Sequence, residues 1–215
     1  MFTRTPISTL RHAVLAVLMA GASALALAAP AAPVSNYHVE IDTTKFSGAG
    51  FLDFAFISGN DPAPAASATL SHFSGAFGAV AGQEGDVVGA LGSSVRFGNA
   101  SFFNDLFQSV TLGGKFSFDI AFGGAFLHTV GDAGTTFGVG LLDASGSAYL
   151  GNPNGNVVQF ELMPMFNGAP ASIAGAGYGD VAAIAAVPEP SEWLMLSAGV
   201  ALLGWSARRR RTRAA

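Results

Sequence analysis

Lys115-Phe116-Ser117-Phe118-Asp119-Ile120-Ala121-Phe122 is the stretch on which the fold turns. Phe116, Phe118, Ile120 and Phe122 fall at every second position, and Lys115, Ser117 and Asp119 occupy the positions between them. Successive side chains alternate across a strand, so this pattern gives one apolar and one polar face. It predicts a half-buried antiparallel strand.

The same period recurs on both sides. Leu52, Phe54 and Phe56 flank Asp53; Phe137, Val139 and Leu141 alternate within Thr136–Leu142; and Val158, Phe160 and Leu162 alternate with Gln159 and Glu161. Further strands are expected at Tyr37–Asp42, Ala68–Phe73, Val87–Leu91, Ser94–Phe97 and Phe107–Leu112. The chain has 28 glycines, and 18 of its 23 aromatic residues are Phe, which favours short strands punctuated by turns. About nine such strands predict an all-β domain, an antiparallel, jelly-roll-like β-sandwich. Two segments read differently. Phe102, Phe103, Leu106 and Phe107 have helical spacing, so Ser101–Gln108 is either a short helix capping the sandwich or an edge strand. Ala169–Ala186, rich in Gly and Ala, reads as a flexible spacer, which places the domain boundary near Pro164 to Pro170.

Composition assigns the ends a different role. Of 215 residues 50% are hydrophobic and 11% charged, and the mean hydropathy of +0.45 exceeds that of an average soluble domain. Arg4 and Arg11 accompany the apolar run Ala13–Ala28, which ends in the small-residue exit Ala26-Leu27-Ala28. This is the layout of a secretory signal peptide cleaved after Ala28, with Ala26 and Ala28 meeting the A-x-A rule. Pro30 and Pro33 then suit an extended linker better than the continuing helix of an uncleaved anchor. At the other end, Trp193–Ala207 is an apolar run of 15 residues closed by Arg208, Arg209, Arg210, Arg211 and Arg213. It is short against the roughly 20 residues that cross a bilayer core, and snorkelling arginines and bilayer thinning extend its reach. Trp193 and Trp205 stand where interfacial aromatics belong, and the arginines are placed to stay cytoplasmic. The domains expected are therefore a signal peptide at 1–28, a sandwich at 29–168, a spacer at 169–186 and an anchor segment at 187–215.

The charge of the middle differs from that of the whole. Between the leader and the tail the only basic residues are Lys45, Arg96 and Lys115 against twelve acids, a net −9 where the whole chain carries −4. With no basic patch, nucleic acid is excluded as a partner. With no cysteine, so are disulfides, thiolate metal sites and a cysteine nucleophile. His38, His72 and His128 are isolated and lack metal-binding spacing, and there is neither a G-x-S-x-G elbow nor a phosphate loop. Gly175-x-Gly177-x-Gly179 lacks the strand–helix context of a dinucleotide site. No catalytic, cofactor or resident metal site is expected. The one candidate for a cation is Asn152, Asn154 and Asn156 with Asp132 and Asp143 in nearby loops, where oxygen ligands for calcium compete with ordinary turn chemistry.

Val187-Pro188-Glu189-Pro190, the apolar run and the terminal arginines together resemble the PEP-CTERM sorting signal of Gram-negative bacteria. The resemblance covers about the last 29 residues; Glu192 stands where that family more often has a small or hydroxyl residue. It implies export through the Sec translocon, transient anchoring in the membrane, processing by an exosortase, and delivery to an envelope rich in exopolysaccharide. Gly50–Phe56, Phe103–Gln108 with Leu112-Gly113, and Thr136–Asp143 resemble, more loosely, the β-rich domains that accompany such tails. The leading expectation is a non-enzymatic protein of the cell surface or extracellular matrix. The alternatives are a carbohydrate-binding module, for which Tyr37, Tyr149 and Tyr178 are the available platforms, and a hydrolase using two of the twelve carboxylates, which sequence alone cannot select.

Overall fold

The computed structural model describes residues 35–60, 63–187 and 196–203. Residues 35–187 fold into two six-stranded antiparallel sheets, as the alternation requires. Strands β1 (Asn36–Asp42), β3 (Ser67–Ser74), β5 (Val87–Gly89), β6 (Ser94–Gly98), β8 (Lys115–Gly123) and β12 (Ala182–Ala186) form the first, in the order β12-β1-β8-β3-β6-β5. The second contains β2 (Gly48–Ser58), β4 (Phe77–Glu84), β7 (Phe103–Leu112), β9 (Thr135–Leu142), β10 (Val158–Met163) and β11 (Ser172–Gly177), in the order β11-β10-β9-β2-β7-β4. The first four strands alternate between sheets, so the chain wraps its core as it is laid down.

Phe116, Phe118, Ile120 and Phe122 all turn inward, at 0 to 5% exposure. They meet Leu52, Phe54 and Phe56 of β2 and Phe137 and Phe160 of the opposite sheet. Phe54 and Phe118 cross the gap edge to face at 5.6 Å, and Phe122 lies 5.0 Å from Phe160. A phenylalanine buried in this way contributes about 1.5–3 kcal/mol, and edge-to-face contacts add to it. With no disulfide available, this aromatic layer carries the domain.

Three expectations change. Residues 169–186 are not a spacer: β11 pairs with β10 over six residues and β12 with β1 over five, forming an edge of each sheet. The domain accordingly continues past the boundary expected near Pro164 to Pro170 and includes β11 and β12. The small residues of this segment are needed in the sheet, because a Cβ on Gly175 would stand 2.5 Å from Cε1 of Phe160. Ser101–Gln108 holds no helix; its strand β7 is flanked by β2 and β4 and is not an edge. Finally β4, absent from the expected set, pairs with β7 through two register breaks and is largely exposed.

Candidate functional site

The register of β2 against β7 sets Asp53 opposite Phe107 and Ala55 opposite Asp105. Both carboxylates therefore share the outer face of the second sheet as diagonal neighbours, within side-chain reach. Strand β4 adds Glu84 directly opposite Asp105. Beside them Phe51 and Phe107 stack at 4.5 Å and 12°. The turn after β9 closes over this pair, and a Cβ on Gly146 would lie 3.2 Å from Cζ of Phe107. That turn is held by Asp143, whose Oδ1 accepts the Ser145 hydroxyl at 2.7 Å and the Ser145, Ser147 and Ala148 amides at 3.1 to 3.3 Å. The Ser145 hydroxyl and these amides hold the Asp143 carboxyl below the usual carboxylate range. Tyr149 then follows over Gly140, next to Asp53.

Asp105 is hydrogen-bonded to Asp53, and its carboxyl is pushed up to about 8, first by burial, then by that bond and by the charges of Asp53 and Glu84. Oδ1 of Asp53 and Oδ1 of Asp105 are both buried without a partner. The body's cations lie elsewhere: Lys115 binds Glu40 at 2.6 Å, Arg96 faces Asp86 at 4.0 Å, and Lys45 acts on Asp42. Asp105 is thus a carboxylic acid that keeps its proton near neutral pH and donates it to a neighbour.

The outer face of the first sheet carries a second cluster. Asp119 on β8 receives His38 of β1 and His72 of β3, with Nδ1 2.6 Å from Oδ1 and 2.9 Å from Oδ2 respectively. Burial raises the Asp119 carboxyl, but the bonds from the two imidazoles outweigh it and leave it lowered. His72 reaches its position from a left-handed conformation (φ 53°) within the register shift between Ser71 and Ser74. The two histidines that sequence leaves isolated thus meet at one carboxylate. Among the described residues, no group of three or more His, Asp or Glu side chains is placed to hold a metal ion.

Within the calcium candidate, Asn152 takes part in turn chemistry. Asn152 donates Nδ2 to the Asn156 carbonyl at 2.6 Å and accepts the Asn154 amide on Oδ1 at 3.2 Å. Of the three tyrosines, Tyr37 is packed between Phe122 and Phe160, with burial raising its phenol, whereas Tyr149 and Tyr178 are 43% and 40% exposed. Of the sorting motif, Val187 ends the described domain, its amide donating to the Asn36 carbonyl at 2.9 Å. Pro188, Glu189, Pro190, Trp193, Trp205 and Arg208 to Arg211 lie outside the described residues, as do Ala26 and Ala28. Residues 196–203 of the apolar run are helical, and among the described residues no helix is long and apolar enough to cross a membrane. Compared with profiles of known families, with curated proteins and with solved structures, the chain finds no match in any of the three.

Proposed function

We propose that this chain is an exported, non-enzymatic protein of the cell surface or extracellular matrix, sorted by a PEP-CTERM-type tail that an exosortase processes, and associated with exopolysaccharide. The observation that carries this reading is the ordered tail, Val187-Pro188-Glu189-Pro190, the apolar run and the closing arginines, on a chain whose first 28 residues have the layout of a signal peptide. The fold supports it in one respect: among the described residues, strand pairing runs to β12 and Val187, where the motif begins. In this reading the sandwich is the ectodomain, between a cleaved leader and a C-terminal sorting helix in the membrane. The strand orders β1-β8-β3-β6 and β2-β7-β4 support the jelly-roll-like description. Exposed Tyr149 and Tyr178 favour saccharide contact as the second reading.

The test is processing. Glu189→Ala, or deletion of 208–213, leaves the protein exported but unprocessed or mislocalised, as read by cell fractionation and intact mass. Normal processing of both variants would overturn the sorting reading.

A further inference from the structure

The two ends of the sandwich are built differently. At one end Asn36 of β1 lies opposite Ala121 of β8, Ser67 of β3 opposite Gly123, and Ala186 of β12 opposite Tyr37. In the second sheet the same end holds Ser58 of β2, Phe103 of β7, Thr135 of β9 and Leu162 of β10. Asn99 ties the two sheets together here. Its Oδ1 accepts the Ala66 amide at 2.8 Å, and its Nδ2 donates to the Pro64 carbonyl at 3.0 Å and to Oγ1 of Thr135 at 3.1 Å.

The loops at this end fix their backbones and leave apolar side chains outside. The Ser58 amide donates to the Phe102 carbonyl, the Gly131 amide to the Met165 carbonyl and the Met165 amide to the Thr129 carbonyl, at 2.9 to 3.1 Å. Yet Phe102, Phe103, Val130, Met163 and Phe166 are 42 to 72% exposed. The opposite end is formed by residues 42–46, 113–114 and 143–157, and Thr44, Lys45, Ser145, Ser147 and Asn154 are exposed there. Tyr149 and Tyr178, also exposed on that side, each carry a hydroxyl.

We propose that this apolar end is a bilayer-facing surface, seated on the zwitterionic headgroups of the membrane that holds the tail, with Phe102, Phe103, Val130 and Phe166 entering the headgroup region. Aromatic and aliphatic side chains gain there by leaving water without crossing the bilayer. The inference rests on the anchored reading of the tail and adds what the sandwich does while it is anchored.

A bilayer is selected by where the chain goes. Val187, 38% exposed, lies at this same end, with its amide bonded to Asn36. Only five residues, Pro188 to Glu192, separate it from Trp193, where the apolar run begins. That tether spans at most about 20 Å. Strand β2, 11 residues long, extends about 35 Å, so the tether is too short for the opposite end to reach the surface. Two copies held by their tails in one bilayer stand side by side, which keeps these ends from meeting head on. Charge sets the lipid class: the body between leader and tail carries a net −9, which an anionic surface repels and a zwitterionic one does not. Asp132 and His128, exposed among the apolar residues, stay at headgroup level.

The chain contains no cysteine, so a single introduced thiol can carry a fluorophore. Full-length protein in phosphatidylcholine vesicles, labelled at Val130→Cys or at Asn154→Cys, is floated on a density gradient and its emission measured with a quencher attached to the lipid headgroup. The Val130→Cys label is expected to be quenched about threefold more than the Asn154→Cys label, because only the first lies at the interface. Adding Phe102→Glu and Phe166→Glu, both at exposed positions, is expected to bring the two labels level while flotation persists. Flotation with equal quenching at the two positions, or a difference unchanged by the two glutamates, overturns the inference and leaves the anchored reading intact. Loss of flotation by the unmodified chain overturns the anchored reading and the inference with it. A Val130→Cys label shielded from iodide in the water yet out of reach of the lipid quencher shows the end covered by a second copy, and also overturns the inference.

Discussion

Replacing Asp105 by Asn isolates the acid pair. In the folded protein this carboxyl titrates near 8, raised from 3.8, so between those values the folded state holds a proton that the unfolded state has released. The stability tied to that proton is fully present below about pH 4, declines as pH rises, and is lost once pH passes about 8. Each tenfold gain in proton affinity on folding corresponds to about 1.4 kcal/mol. Asp105 is only half-buried, and solvent screening reduces the full conversion to about 1–2 kcal/mol. For a domain of this size that is a change of roughly 3–8 °C in melting temperature. The carboxamide introduced by Asp105→Asn can donate to Asp53 as the protonated acid does, and it does not ionise. The variant is expected to melt with wild type near pH 4 and above it by that margin at pH 9. Differential scanning calorimetry from pH 4 to 9 checks this. Parallel curves across the range would refute both the raised acid and the cause assigned to it.

Two further outcomes follow from the core and the loops. Phe118→Asp sets a carboxylate against Phe54 and Phe73 in the fully buried layer and is expected to cost several kcal/mol, whereas Ser117→Asp on the outer face is expected to cost under about 1; equal melting temperatures would disprove the register of β8. Millimolar calcium is expected to move the melting temperature no more than magnesium at the same ionic strength, because Oδ1 of Asp143 and Oδ1 of Asn152 already accept hydrogen bonds within their own turns; a calcium-selective rise lost in Asn154→Ala would overturn this.

Legibility followed side-chain size. β8 and β10 announce themselves because large apolar residues alternate with polar ones, and β2 and β9 because Leu52, Phe54 and Phe56, and Phe137, Val139 and Leu141, recur at every second position. β11 and β12 do not, since Ala and Gly carry the same weak signal in an edge strand as in a linker. In β7 the apolar residues occupy both faces: Leu106 enters the core, while Phe107 stacks on Phe51 beneath the Gly146 turn. That double use imitates helical spacing. The acid pair was hidden for a different reason. Asp53 and Asp105 are 52 positions apart in the chain, and only the register of β2 against β7 makes them neighbours. His38 and His72 were likewise joined by a strand between them and by a bulge that sequence does not display.

The position of β12 also sets how the domain answers tension. The strand is bonded on one side only, and the chain leaves it at Val187, directly after the bond to Asn36. A pull on the tail directed across the sheet loads that bond first and then parts five residue pairs in succession, from Ala186 opposite Tyr37 to Ala182 opposite Ile41. Ile184, packed against the core, is the third of these to leave, so the load reaches the apolar core before the strand has fully parted.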